Sequence, residues 1–335
     1  MVIYLLIWCL IIIFGIKKSD KNEKIFSKEN TLALRGISAF EIMLGHIGLA
    51  TGSIFLFPNK KAGILFVAVF FFLSGYGLMY SKEKKKDYLC NGFILKKICK
   101  IIIPAYIVYV LFIIFMNCFK NTSMELKSIF DFWNFLMQTN WFVWEIIILY
   151  ILFYLFYRKK NKYSDLYFFL TLLLSVTICY HVHLDNPWFG STMAFWFGIY
   201  YYKNNEKINA FLLSKYWVKF FCFATILCIS IMIFFMNPKS LFGSVIARNI
   251  ASVDFIILII LFGFKFKIGN RISYWLGRYS YEIYLFHIMF VTVFQEIVEI
   301  SPFLYGGIVI LCTMICSVVY NKIEYIITKL FIKRK

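Results

Sequence analysis

Apolar runs long enough to cross a bilayer recur along the whole of this 335-residue chain. No other feature constrains its fold as tightly. A helix rises ~1.5 Å per residue, so about twenty residues span a hydrocarbon core ~30 Å thick. The runs fall at 2–16, 35–57, 62–80, 101–119, 141–157, 164–181, 189–202, 217–236, 245–264, 279–297 and 303–328, eleven in all. Only 16% of residues are charged and 61% are hydrophobic, whereas a soluble domain carries about a quarter charged residues. The expectation is an all-α polytopic membrane protein with about 11 transmembrane helices. Span 189–202 is short and contains Gly190 and Gly198, so it is tilted, broken or paired with its neighbour.

A net charge of +19 could indicate nucleic acid, but the positive residues cluster in short loops between the spans. Lys17 to Lys24, Lys82 to Lys100, Arg158 to Lys162, Lys203 to Lys219 and Lys265 to Arg278 each follow an odd-numbered span, and the tail ends Lys333-Arg334-Lys335. The positive-inside bias then puts every basic loop in the cytoplasm, with the N-terminus outside and the C-terminus cytoplasmic. Nucleic acid is not an expected partner; membrane lipids are. Residues 1–16 lack a basic leader and a small-residue cleavage site, so they read as a retained anchor helix. The chain divides into an anchor helix with its basic loop, 1–29, and a membrane domain, 30–335. The nine cysteines lie mostly within spans and read as small apolar packing.

Orientation gives the depth of each polar residue. His46 lies eleven residues from Arg35, and Asp254 eleven from Lys265, each roughly 16 Å from the cytoplasmic end. His287 lies nine residues from Arg278, roughly 13 Å in, and Glu145 thirteen from Arg158, roughly 20 Å in. Ionisable groups at such depth are costly and mark function by default. Eleven residues is close to three helical turns, so Arg35 and His46 share a face. An arginine fork at the cytoplasmic mouth suits a phosphate-bearing donor, with the histidine beneath it as a base. Asp254 is open to two readings, a part in the chemistry or neutralisation of a neighbour. Glu41 is similarly open, to a place in Arg35's cavity or to a pairing or snorkelling role. His181 and His183 have a spacing that could bind metal, but they read as exposed interfacial residues; no metal site is expected.

Four strings, taken in order, resemble the membrane acyltransferase 3 family, whose members O-acylate cell-surface glycans. Arg35 to His46 matches its leading Arg-x10-His helix. Phe70-Phe71-Phe72-Leu73-Ser74-Gly75-Tyr76 is similar to its Phe-Phe-x-x-Ser-Gly-aromatic helix. Trp141-Phe142-Val143-Trp144-Glu145, with Tyr150 five residues on, resembles its Trp-x-x-x-Glu…Tyr segment. Tyr279-Ser280-Tyr281-Glu282-Ile283-Tyr284-Leu285-Phe286-His287 resembles its Ser-Tyr-x-x-Tyr-Leu-x-His helix. The resemblance implies a ten-helix core, to which this chain adds one N-terminal helix. It also implies an O-acyltransferase that uses acetyl-CoA or another acyl-CoA as co-substrate and holds no permanent cofactor. His46, Glu145 and His287 would be catalytic, and Arg35 would bind the donor. Ser74, Trp141 and Tyr150 would support them, alongside Glu41 and Asp254. One departure concerns the segment before Pro104. The family is arginine-rich there, whereas this chain has Lys96-Lys97-Ile98-Cys99-Lys100. Lys97 and Lys100 still attract phosphate but lack the bidentate fork.

The implied acceptor is a surface glycan or a lipid-linked sugar, in company with polysaccharide biosynthesis machinery. The Lys-, Ile- and Phe-rich composition points to an AT-rich genome and a bacterial inner membrane. Two other classes compete. One is a transporter or flippase with a midplane proton or anion site, which the lack of an internal repeat disfavours. The other is a structural subunit of an export complex.

Overall fold

The computed structural model describes residues 2–19, 25–90, 92–120, 129–182, 190–236, 239–297 and 300–332. The helices in chain order are α1 (Val2–Phe14), α2 (Lys28–Thr51), α3 (Phe57–Lys84), α4 (Phe93–Lys120), α5 (Ile129–Thr139), α6 (Trp141–Tyr157) and α7 (Ser164–His181). They continue with α8 (Met193–Leu213), α9 (Tyr216–Met236), a π-helical turn over Phe242–Ala247, α10 (Arg248–Lys265), α11 (Arg271–Arg278), α12 (Ser280–Ile297) and α13 (Pro302–Ile332). Each of the eleven apolar runs holds one of these helices. By length and apolarity, seven of the described helices qualify as spans, or eight if the α5–α6 pair, bent by 96°, is one span. Of the other helices on the expected spans, α1 and α6 are shorter, while α8 and α12 carry more polar side chains.

The bundle centres on α2 and α3. Helix α2 packs against α3, α11, α12 and α13, and α3 packs against α8 and α10. Close approach of α3 and α8 depends on two glycines: a β-carbon at Gly75 would strike the Phe195 carbonyl oxygen, and one at Gly198 would strike that of Phe72. Helix α9 lies at the periphery, with Ser230 its only buried side chain. Helix α1 is pinned to α2 by Trp8, whose indole N–H donates to Glu41 Oε1 at 2.7 Å while its ring packs on Phe40 at 4.3 Å.

The basic loops gather at one end. Strand β1 (Ile16–Lys18), after α1, pairs antiparallel with β2 (Phe266–Ile268), after α10, in the register Ile16↔Ile268. The ammonium groups of Lys82 and Lys203 lie 5.6 and 4.9 Å from the Tyr157 ring centre, and Lys203 also meets Asp165 at 2.6 Å. The strand pair ties the segments after α1 and α10 together, and the lysine contacts tie the ends of α3, α6 and α7 to α8.

Three features depart from the sequence expectation. Helix α8 continues to Leu213, through a residue of non-helical geometry at Asn204, where the hydropathy pattern ended the span at 202. Helix α11 occupies part of the expected basic loop, opened by a capping box in which Asn270 and Ser273 bond each other's backbone. Helix α5 occupies what was expected to be an outer loop.

Candidate active site

Arg35 and His46 stand on α2 behind a helix start capped by Ser27, whose hydroxyl accepts from the Asn30 N–H at 3.2 Å. Arg35 is exposed, but into an internal space. It lines a vestibule of about 1150 Å³ at the basic end of the bundle and also a smaller inner cavity of about 190 Å³. The vestibule is walled by Phe26, Tyr76, Tyr80, Tyr201 and Tyr202, with Lys28, Lys84 and Lys203 at its rim beside Glu83 and Glu206. Phe26 packs its ring 5.4 Å from Tyr76 and 5.6 Å from Tyr201, so the wall is a continuous aromatic surface. The extension of α8 beyond 202 adds Lys203, Asn205, Glu206 and Asn209 to the lining: a polar helix face that hydropathy reads as loop is the face that meets water.

The inner cavity is lined by Arg35, Ser74, Tyr150, Tyr281 and Tyr284, with Phe70 and Phe142 among its apolar neighbours. Three of the sequence-derived site residues thus share one cavity. Tyr281 donates to the Ile101 carbonyl at 2.7 Å. The Tyr284 ring lies 5.0 Å from Phe142 and 5.6 Å from His287. The His287 and His46 rings are 5.1 Å apart. His287 is buried; its Nδ1 lies 2.9 Å from the Ile283 carbonyl oxygen. A carbonyl only accepts, so Nδ1 carries the hydrogen and Nε2 of the neutral ring carries the lone pair. That Nε2 is buried without a hydrogen-bond partner. His46 is the half-buried, more accessible member of the pair.

Lys97 is half-buried, its ammonium 5.6 Å from the Tyr150 ring centre and 5.9 Å from that of Tyr88. It feels the charges of Arg35 and Lys100, while Lys100 itself is exposed. The Tyr88 hydroxyl, in the loop before α4, is pushed above its ordinary range, chiefly by burial.

His46, His287 and the remaining sequence candidates do not line this cavity, although the Glu145 charge reaches the Tyr284 hydroxyl. Glu145 accepts from the Thr192 hydroxyl at 2.5 Å, and its second oxygen is buried without a partner. Asp254 lines a separate, largely apolar groove between α7, α8, α9 and α10, beside Trp196 and Asn249. Glu41 is engaged with Trp8. Trp141 opens α6 against Phe142, their ring centres 6.4 Å apart. His181 is exposed against Tyr180, and His183 lies outside the described residues. Tyr281 and Tyr284 stand in the fourth sequence string but were given no part in the site, and sequence reasoning passed over Thr192. The two tyrosines were detectable, since Tyr284 and His287 are three residues apart and neighbours on a helix; Thr192 offered no local signal.

These features define a class: a multi-pass helical membrane protein with a vestibule at its basic end, joined through Arg35 to a second cavity whose Tyr284 touches an imidazole pair. Residues 33–322 match the acyltransferase domain of the acyltransferase 3 family. The chain belongs to that family, and it is a membrane acyltransferase. The match takes in every residue of both cavities except the segment 25–31 at the vestibule rim. No curated protein and no solved structure matches the chain.

Proposed function

We propose that this enzyme transfers an acetyl group from acetyl-CoA to a hydroxyl of an envelope or extracellular polysaccharide, or of its lipid-linked precursor, in a bacterial cytoplasmic membrane. The basic end faces the cytoplasm, so the donor enters the vestibule from there. One observation carries the reading: Arg35 lines both the vestibule and the inner cavity. A guanidinium at that junction holds donor phosphate in the vestibule while the thioester arm reaches inward. Lys97 and the rim lysines add long-range attraction. The tyrosine wall offers stacking surface to the adenine ring.

His46, the accessible imidazole, removes the proton from the acceptor hydroxyl as its oxygen attacks the thioester carbonyl. The new C–O bond forms and the C–S bond breaks. The proton returns to the departing thiolate, so ester and free CoA thiol leave together. His287 Nε2 supports the charge that develops on His46, and Ser74, Tyr150 and Tyr284 present hydroxyls to the carbonyl oxygen. Glu145 acts through the anchorage of α8 by Thr192 and through its charge beside Tyr284.

The decisive experiment compares ester content of surface glycans in a deletion strain complemented with wild type, His46→Ala or Arg35→Ala at matched expression. Loss of esters in both variants supports the proposal. Equal acylation in all three sinks it, and a defect in glycan export with acylation intact favours the transporter reading.

A further inference from the structure

At the end of the bundle opposite the basic loops, Arg248 opens α10, seventeen residues or ~26 Å from Lys265. Its side chain is only 8% exposed. The guanidinium rests over the Phe234 ring at 4.8 Å, and Nε is buried without a hydrogen-bond partner. No carboxylate among the described residues lies within ion-pair distance of it. A buried guanidinium with no counter-ion is expensive, since the desolvation of a full charge goes uncompensated.

The surroundings are built for it. A β-carbon at Gly190 would lie 2.7 Å from Arg248 Nε and 2.9 Å from Ile64 Cδ1, so any larger residue there would push the guanidinium arm and Ile64 aside. Gly190 is held in place by the Ser252 hydroxyl, which donates to its carbonyl at 3.0 Å. The π-helical turn Phe242–Ala247 runs directly into Arg248, and such turns recur at functional sites. The side chain borders a cavity of about 170 Å³. Apart from Arg248 and Ser230, the lining is apolar: Ile64, Leu65, Phe234 and Phe235 are the larger members. One wall is α9, a peripheral helix whose only buried side chain is Ser230.

We propose that Arg248 binds the phosphate of a membrane lipid, whose chains lie along α9. The guanidinium fork matches phosphate bidentately. The apolar walls and the peripheral position of α9 favour a phosphate that arrives on a lipid over one that arrives from water. The site is independent of acyl transfer: it lies at the other end of the bundle and shares no lining residue with the two cavities that Arg35 joins.

The test uses the full-length protein purified in detergent, with three probes: phosphatidylglycerol, diacylglycerol and inorganic phosphate. Thermal melting and native mass spectrometry read the outcome for wild type and Arg248→Met. Phosphatidylglycerol is expected to raise the wild-type melting temperature and to stay bound, with retention falling about ten- to a hundredfold in Arg248→Met, the loss of a charge-assisted contact. Diacylglycerol and inorganic phosphate should do neither. Without lipid, Arg248→Met should melt no lower than wild type, because it removes an uncompensated charge. Equal lipid retention in both proteins overturns the proposal, and stabilisation by inorganic phosphate alone overturns the lipid source. Asp185 lies outside the described residues and is the control for an internal counter-ion. If Asp185→Asn destabilises the protein and added Arg248→Met restores it, the proposal fails.

Discussion

The imidazole rings of His46 on α2 and His287 on α12 lie 5.1 Å apart at a 53° tilt, and a backbone carbonyl fixes the tautomer of the second. The two bases differ in freedom: His287 is locked and buried, while His46 is the more accessible. A pair arranged in this way acts as a unit, so the losses should not add. His46→Ala and His287→Ala should each lower acyl transfer by about 10²–10⁴-fold, the usual span for a general base. The double variant should be no worse than the poorer single. Transfer rates in reconstituted vesicles check this, and additive losses would mean two independent roles.

Glu145 and Thr192 test whether the buried carboxylate acts as an acid–base group or as an anchor. In Glu145→Gln the amide oxygen still accepts from Thr192, so melting should change little and activity should largely survive. Thr192→Val leaves the buried carboxylate without that 2.5 Å bond and should cost about 1–3 kcal/mol in stability. A Glu145→Gln enzyme that melts normally but has lost all transfer would assign Glu145 a direct chemical part.

Helix α1 should be separable from the chemistry. Trp8→Phe keeps the packing on Phe40 but removes the 2.7 Å bond to Glu41, a contact worth about 1.5–3 kcal/mol if the carboxylate is charged. The variant should melt lower and be cut faster by protease between α1 and α2, yet transfer at normal rates at low temperature. A catalytic defect at low temperature would place Glu41 in the active site after all.

Much of this was legible in the sequence, for identifiable reasons. Apolar runs report helices because the bilayer demands internal hydrogen bonding, and all eleven runs hold one. The helical phase of Arg35 and His46 predicted one shared face, and a depth argument grouped His46 with His287, Asp254 and Glu145. Depth says nothing about azimuth, however. Glu145 turns toward Thr192 and Asp254 toward the groove beside Trp196, so neither lines the inner cavity. Helix α11 and the far half of α8 were read as loops, since charge counting masks a polar helix that lines water. The pairing of β1 with β2 joins residues some 250 apart along the chain and left no local trace.

Tyr150 offers the sharpest test of the path from vestibule to histidines. Its ring supports the Lys97 ammonium at 5.6 Å, and the residue lines the inner cavity beside Arg35. The two contributions come from different parts of one side chain. Tyr150→Phe keeps the ring and hence the lysine, so the KM for acyl-CoA should hold within about twofold, while kcat should fall about tenfold if the hydroxyl donates to the developing oxyanion. Tyr150→Ala removes the cation–π support as well, worth about 0.5–2 kcal/mol, so KM should rise about two- to thirtyfold on top of the lower kcat. Steady-state kinetics on the two variants separates the effects. A raised KM with unchanged kcat in Tyr150→Phe would instead mean that the hydroxyl binds the donor and takes no part in the transition state.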